Sequence, residues 1–427
     1  MRTPKLLAGL ALASLTLAAC GSNGNQSASG SSGTCSGTIK IGVDLPLSGT
    51  EASDGQPTLN GVQFAVSHVW GGKVDGCTLT VDAKDDTVSG VHNPSQGAQN
   101  VSGFVSDSAV LGMVGPFNSS VAQAEIPIAN AGHLTMISPA NTNPCLTKDL
   151  STCAFHPADL RKSAPSQNNY FRVAATDDFQ GPAMADYAYD KLNIHTVAVG
   201  SDNETYGKGI ADAFANEFQN VKHGTVVDHE NFDYASTASF APWLNRAKAD
   251  GAQGIYYGGT DGTKGCIPRA QMAGIFPASV PEMGGDGLVS TECLHEAGGN
   301  VVGMYATVAT ADATQLSTAS AAIAAFKQAY SDPNAFGAYT MPAYDAANIL
   351  ITGIKKAIEA KGGGMPTREQ VRAQVAQTKN FQGVLGNTSF DANGDTSNKI
   401  ITVYYSNGCC NSSNWAFKAS VNYGSGG

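Results

Sequence analysis

The deciding stretch is Val110-Leu111-Gly112-Met113-Val114-Gly115-Pro116-Phe117-Asn118-Ser119-Ser120, followed after one helix length by Leu134-Thr135-Met136-Ile137-Ser138-Pro139-Ala140-Asn141-Thr142-Asn143-Pro144. The apolar runs 110–114 and 134–137 read as buried strands, because they are short and bounded by turn residues. Residues 121–131 between them read as a helix whose first turn carries Ser119 and Ser120. Each strand thus runs into a polar segment rich in hydroxyls and free backbone N–H groups. In an open parallel sheet, ligands sit beyond the carboxyl ends of the strands, where helices begin. The pattern predicts a pocket for a small polar solute and points to binding rather than chemical transformation.

Outward from this stretch, strand and helix signals alternate. Ile39-Lys40-Ile41-Gly42-Val43 reads as a strand, followed by a loop rich in Gly, Ser and Asp. A helix over 59–70 follows, with Val62, Val66 and Val69 on one face; a strand over 79–81 and a helix over 94–105 come next. The pattern restarts at Tyr170-Phe171-Arg172-Val173. Helices are expected over 181–190, 208–218 and 238–249, and strands over 196–199, 225–229 and 254–257. The polar, Pro-containing segment 155–169 reads as the connection between the two halves. Residues 342–361 form a clear helix, with Tyr344, Ala347, Ile351, Ile354 and Ile358 at spacings of three and four. Lys361 and three glycines end it, and 400–405 reads as a buried strand. Strands alternating with helices mean parallel sheets covered on both faces. The expected fold class is α/β, with two similar doubly wound parallel-sheet lobes.

Size and charge agree with this reading. A chain of 427 residues exceeds one ordinary core and suggests two domains. A formal charge of −10 argues against a nucleic-acid partner and against an electrostatic hold on anionic lipid.

The N-terminus is more specific. Arg2 and Lys5 precede an apolar run over 6–19 that ends in Leu17-Ala18-Ala19-Cys20. This is the layout of a secretory signal over 1–19, too short to span a bilayer comfortably. Cys20 after Leu-Ala-Ala resembles the bacterial lipobox, whose cysteine is acylated and becomes the new N-terminus. Residues 21–33 are wholly Gly, Ser, Asn, Gln and Ala, a flexible tether that is taken to extend over 20–37. The expected location is the outer face of the bacterial cytoplasmic membrane, after export, through a lipid anchor.

Setting Cys20 aside leaves eight cysteines, an even count that implies disulfides in an exported protein. Eight allow about a hundred pairings. The favoured scheme is Cys35–Cys77, Cys145–Cys153, Cys266–Cys293 and the vicinal Cys409–Cys410. A zinc site is the alternative, but no Cys-x-x-Cys or His spacing supports one, and no metal is expected.

Catalytic motifs are missing: there is no Gly-x-Ser-x-Gly elbow, no His-Glu-x-x-His and no phosphate loop. Neither an enzyme nor a cofactor is expected. Asp391-Ala392-Asn393-Gly394-Asp395 resembles a calcium loop, but its glycine is displaced and its twelfth position is Thr402 rather than Glu. It reads as a turn. Ser119, at a helix N-terminus, is placed to meet a carboxylate, with helix capping as the alternative. Ala140 and Thr142 can offer a carbonyl and a hydroxyl to an ammonium group, or simply form a turn before Pro144. Tyr206, in the segment 200–207 after a strand, can reach a cleft. Asp286, within Gly284-Gly285-Asp286-Gly287, is either a ligand carboxylate or a solvated turn residue.

Taken in order, these motifs resemble the branched-chain amino acid binding proteins of ABC transporters, the Leu/Ile/Val-type family of extracellular solute receptors. The resemblance is carried by Ile41-Gly42-Val43 through Leu47-Ser48-Gly49, Asn60-Gly61, the two segments quoted first, and Phe171-Arg172-Val173. It continues through Tyr206-Gly207-Lys208-Gly209, Tyr256-Tyr257-Gly258-Gly259, Tyr344-Asp345-Ala346-Ala347 and Phe390-Asp391-Ala392-Asn393-Gly394-Asp395. It implies a periplasmic binding protein of type I with a three-crossing hinge. Residues 38–172 and 308–390 would form lobe 1, and 173–307 and 391–427 lobe 2. It also implies that Ser119 helps bind the ligand α-carboxylate. Ala140 and Thr142 would hold the carboxylate and ammonium through backbone and hydroxyl, Tyr206 would close from the second lobe, and Asp286 would pair with the ammonium. A zwitterion in a closed cleft needs both charges matched.

The chain departs from that family at its side-chain pocket. Glu51, Ser53 and Asp54 stand where aliphatic-amino-acid binders commonly place an aromatic or apolar wall, and Thr260 and Asp261 replace residues that are often aromatic. Asp54, Asn118, Thr260 and Asp261 are therefore the candidate specificity residues, and a more polar or roomier pocket is expected. The implied function is that of a monomeric extracytoplasmic receptor of an ABC importer. It would bind an amino acid, branched-chain or related, and deliver it to permease subunits. The alternatives are an amide, urea or organic acid as ligand, or a sensor role toward a membrane signalling partner.

Overall fold

The computed structural model describes residues 34–424. The expected signal over 1–19, Cys20 and most of the tether lie outside the described residues. Among the described residues no helix is long and apolar enough to cross a membrane.

The first half supplies β1 (Thr38–Leu45), β2 (Lys73–Val74), β3 (Cys77–Asp85), β4 (Thr87–Val88), β5 (Val91–His92), β6 (Val110–Val114), β7 (Thr135–Ser138) and β8 (Tyr170–Arg172). Six of these form one sheet in the order β2-β3-β1-β6-β7-β8, while β4 and β5 pair separately. All neighbours in that sheet are parallel except β2 and β3. Both faces are covered, so β6 is buried along its whole length, as a central parallel strand should be. Helices α1 (Ala52–Phe64), α2 (Pro94–Ser106) and α3 (Ser119–Ala131) connect the strands. Asn93 starts α2 by accepting from the N–H groups of Ser95 and Gln96, both at 3.0 Å.

The second half supplies α4 (Asp177–Asp190), β9 (Thr196–Ser201), α5 (Thr205–Asn216), β10 (Thr225–Asn231), α6 (Ala241–Ala249), β11 (Gly254–Gly258), α7 (Ile267–Met272), β12 (Glu282–Gly284), α8 (Thr291–Ala297) and β13 (Met304–Val308). After it come α9 (Ser320–Ala329), α10 (Thr340–Ala360), α11 (Arg368–Val375), the hairpin β14 (Phe381–Gly383) and β15 (Gly386–Thr388), β16 (Ile400–Ser406) and β17 (Trp415–Asn422). The second sheet runs β10-β9-β11-β12-β13-β16-β17. Its last two strands are antiparallel, so the expectation of a purely parallel sheet is corrected to a mixed one. Helix α10 returns to the first half and packs against α1 and β6. Gly112 permits this approach, since a side chain there would run into Leu350.

The chain passes between the two sheets three times: after Arg172, after Val308 and before Ile400. The first passage is bonded to both others, through Ala175 N–H to the Ala309 carbonyl at 2.8 Å and Arg172 N–H to the Gly394 carbonyl at 3.0 Å. A buried ion pair, Arg172 Nε to Asp395 Oδ1 at 2.7 Å, ties the same two segments. Burial opposes ionisation of Asp395, but Arg172 prevails and holds the carboxyl below its usual range. Arg172 Nη1 also donates to the carbonyls of Asn141 (3.3 Å) and Asn143 (2.8 Å).

Three boundaries differ from the sequence expectations. Helix α1 starts at Ala52 instead of near 59, so Asp54 lies in its first turn and not in a loop. Gly55 is needed there, because a side chain would strike the Pro46 carbonyl. Segment 155–169 does not connect the halves. It folds back on α3, with Ala164 N–H donating to Asn130 Oδ1 at 2.8 Å. Strand Tyr170–Arg172 accordingly closes the edge of the first sheet, beside β7, and does not open the second.

Candidate ligand-binding cleft

The carboxyl ends of β6 and β7 present the two polar segments side by side. Ser138 organises the second: its hydroxyl donates to the Pro116 carbonyl at 2.7 Å and accepts from Asn141 N–H at 2.9 Å. Asn141 then donates to the Phe117 carbonyl at 2.6 Å and accepts from the Tyr170 hydroxyl at 2.8 Å. This network fixes Ala140 and Thr142, both almost fully buried. Ser119 is the first residue of α3 and accepts from Asn143 N–H at 3.4 Å. Asn118 stands at the helix start without capping it. The hydroxyls of Ser120 and Thr142 have no protein partner. A buried polar group of that kind is costly unless something else pairs with it.

The second sheet brings Asp286 to the same space, in a tight turn after β12. Its carboxylate accepts from the Tyr206 hydroxyl (2.8 Å), Gln180 Nε2 (2.7 Å) and the Tyr339 hydroxyl (2.6 Å). Glycines on either side are required. A side chain at 285 would meet Tyr206 and Gln180, and one at 287 the Gly259 carbonyl. Burial outweighs the three donors and raises the Asp286 pKa. Asp177, at the start of α4, is wholly buried and has no donor within hydrogen-bond distance; its pKa is driven up by burial and then by Asp286, and the facing Thr142 hydroxyl opposes this. Its N–H bonds the Thr142 carbonyl at 2.9 Å, which joins the two halves of the site.

The four candidate specificity residues cluster around a group that sequence reading left unassigned. Glu51 lies against His92, with Nδ1 at 2.9 Å from Oε1 and the His92 N–H at 2.8 Å from Oε2. Thr260 donates to Glu51 at 2.6 Å, and Asn118 Nδ2 approaches the same oxygen at 3.4 Å. Burial works against both charges of the pair. Their mutual attraction still leaves Glu51 below its usual range and takes His92 to about 9. Asp261 accepts from Ser290 (2.6 Å), Gly262 N–H (2.8 Å) and Ser53 (3.2 Å), and burial followed by Glu51 lifts it to about 7. Asp54 is raised as well, by burial and then by Asp261, Glu51 and Asp286. Among the described residues no lysine or arginine forms an ion pair with Asp54, Asp261 or Asp286; the one ion pair in this group is His92 with Glu51.

Two further bonds cross the cleft, Asn143 Nδ2 to the Thr205 carbonyl at 2.6 Å and the Thr205 hydroxyl to Gln123 at 3.1 Å. The structure thus brings together Ser119, Ala140, Thr142, Tyr206 and Asp286 on one side, and Asp54, Asn118, Thr260 and Asp261 on the other. Gln180, Tyr339, Asp177 and the Glu51–His92 pair were missed. Gln180 and Tyr339 carry no local signal, since only the approach of α4 and α10 brings them to Asp286.

The cysteines lie as follows. Cα separations are 5.0 Å for Cys35 and Cys77, 5.5 Å for Cys145 and Cys153, and 5.4 Å for Cys266 and Cys293, within the span of a disulfide. Cys409 and Cys410 are chain neighbours. His295 stands beside that last pair, making a group of three solvent-accessible donors. A closed structural metal centre takes four ligands. Asp391 to Asp395 form a turn, as expected, with Asp391 Oδ1 accepting from Asn393 N–H at 2.8 Å; Asp395 is the partner of Arg172.

Two α/β halves linked by three passages, with a polar cleft lined from both, define a solute-binding receptor. The chain belongs to the periplasmic binding protein family, whose sequence profile matches residues 38–408. Members of this family are receptors for solutes and not enzymes. A Leu/Ile/Val-binding protein homolog from Brucella melitensis is 28% identical over 367 residues, covering 86% of this chain and 90% of the relative. A leucine-, isoleucine-, valine-, threonine- and alanine-binding protein from Pseudomonas aeruginosa is 29% identical over 369 residues, covering 86% and 89%. Among solved structures, a leucine-binding protein from Thermotoga maritima superposes with a TM-score of 0.74 at 25% identity, covering 90% of this chain and 99% of that one. A branched-chain amino acid transporter substrate-binding protein from Streptococcus pneumoniae, in complex with isoleucine, gives 0.73 at 26% identity with the same coverage.

Proposed function

We propose that this chain is the extracytoplasmic receptor of an ABC importer and binds an α-amino acid between its lobes. The observation that carries this reading is the arrangement around Asp286. A buried carboxylate held by three donors stands in the same cleft as the unpaired Thr142 hydroxyl and the start of α3. The ammonium would pair with Asp286, oriented by Tyr206, Tyr339 and Gln180. The α-carboxylate would accept from the hydroxyls of Ser119 and Thr142 and from the first free N–H groups of α3, where the helix dipole favours an anion; the Ala140 backbone would complete the grip. Each charge then leaves water only to meet its opposite.

Because the contacts come from both lobes, only the closed arrangement makes all of them. A ligand shifts a two-state equilibrium by its differential affinity for the two states, so binding would favour the closed form that a permease recognises. The lobes are taken as 38–172 with 308–390 and 173–307 with 391–427. Cys20 would carry the lipid, and the four cysteine pairings would hold in the oxidising exterior. A ligand with only a carboxylate is disfavoured, since it would leave Asp286 without a counter-charge.

The test is a thermal-shift screen of amino acids, amides and small organic acids against the purified mature chain. A specific ligand raises the melting temperature by linkage. Stabilisation by one or more amino acids is expected. A response to amides or acids alone would overturn the assignment.

A further inference from the structure

We propose that the cleft continues past Asp54 into an aromatic-walled cavity, and that the amino acid bound is a basic one whose side-chain amine or guanidinium lies by Asp54. This deepens the reading above and rests on it.

The cavity has a volume of about 590 Å³. It is lined by Ser53, Asp54 and Ser290 together with the aromatic side chains of Tyr330, Phe336 and Trp415. Its wall adjoins the amino-acid site through bonded neighbours. Ser53 and Ser290 both donate to Asp261, at 3.2 and 2.6 Å. Ala338, on the same wall, precedes the Tyr339 that holds Asp286. Pockets of a few hundred Å³ and upward suit ligands larger than a short aliphatic side chain. An aliphatic group would leave much of this one unfilled and forfeit its packing contacts.

Charge selects among the larger side chains. The charged residues lining the cavity are Asp54, Asp312 and Asp332 against the single cation Lys327, and Asp261 stands directly behind the wall. An apolar group against Asp54 would cover its carboxyl without supplying it a partner. A cation there supplies the counter-charge that no lysine or arginine of the protein provides at Asp54 or Asp261. The aromatic wall suits the same ligand, because a methylene stem packs on rings while a cation is attracted to their faces. The raised pKa of Asp54, caused by burial and the neighbouring acids, is the cost of leaving that counter-charge out.

The experiment is isothermal titration of the mature chain with L-arginine, L-lysine and L-leucine, repeated on Asp54→Asn and Asp261→Asn. Arginine or lysine is expected to bind at least about tenfold more tightly than leucine, a gap of ~1.4 kcal/mol. Each substitution should weaken the basic ligand by about tenfold or more, so that its advantage over leucine is lost. Melting curves check that both variants fold, and the two variants report on the same cavity independently. Tighter binding of leucine than of both basic amino acids would overturn the proposal and leave the amino-acid reading standing. Unchanged binding of the basic ligand in both variants would do the same. If no amino acid of any kind binds, the amino-acid reading itself falls, and this proposal with it.

Discussion

Replacing Asp286 by asparagine separates the ligand's use of this residue from the protein's own. The carboxylate accepts from Tyr206, Gln180 and Tyr339 at 2.8, 2.7 and 2.6 Å and is 6% exposed. In Asp286→Asn, the amide oxygen can keep Tyr206 and Gln180, which share Oδ1. The amide nitrogen then faces Tyr339, whose hydroxyl can turn and accept. The unliganded fold keeps three contacts but leaves the Tyr339 proton unpaired, ~1 kcal/mol, and is relieved of a buried charge, so its stability should move by no more than about 1 kcal/mol. The ligand loses far more. A desolvated ammonium without its carboxylate costs about 3 kcal/mol, or a little over a hundredfold in Kd. Titration calorimetry with the best amino-acid ligand, alongside melting curves of both unliganded proteins, gives the two quantities separately. A Kd within threefold of wild type would refute Asp286 as the ammonium partner. A collapse in the unliganded melting temperature would show that its role is structural.

Other consequences follow from single contacts. Arg172→Met should cost about 4 kcal/mol in denaturant unfolding, because it strands Asp395 as a buried unpaired charge. Adding Asp395→Leu should recover much of this, and a single-variant loss under 1 kcal/mol would contradict the ion pair's role. His92, raised from 6.5 to about 9, contributes stability that is complete below pH 6.5 and is lost as pH rises through about 9. Its full size is about 3 kcal/mol. Wild type should therefore lose its advantage over His92→Gln across that window, and a pH-independent difference would exclude the charged pair. The Cys35–Cys77 bridge, which closes a separation of 42 residues, should be worth about 4 kcal/mol by loop entropy. Mass spectrometry of unreduced peptides should find it, and free thiols at both positions would remove it.

What the chain's pattern revealed, and what it hid, has a physical division. Strands buried on both faces are continuous apolar runs, so Val110–Val114 was legible to the residue. The three-and-four spacing of α10 was equally plain. Gly55 and Pro57 concealed the start of α1, since both break helices in general; Gly55 is there because the Pro46 carbonyl leaves no room for a side chain. Strand β17 alternates between half-buried and exposed residues at a sheet edge and lacks an apolar run. Segment 155–169 looked like a linker because polar, Pro-containing sequence usually is one. Asn130, more than thirty residues away, decides otherwise. In the site, Ser119 and Asp286 sat beside strand ends where motifs are visible. Glu51 and His92, 41 positions apart, meet only because the β4–β5 ribbon brings them together.

Arg172 sits at the first passage between the lobes, yet its guanidinium grips the carbonyls of Asn141 and Asn143, which flank Thr142. One side chain therefore anchors the first passage and braces the loop that carries Thr142, a proposed ligand contact. If the lobes rotate about this passage, as the proposed closure requires, the same guanidinium couples that motion to the loop, and the coupling acts in both directions. On that reading affinity and opening rate are linked: substitutions around Asp395 should alter ligand residence time without touching the ligand.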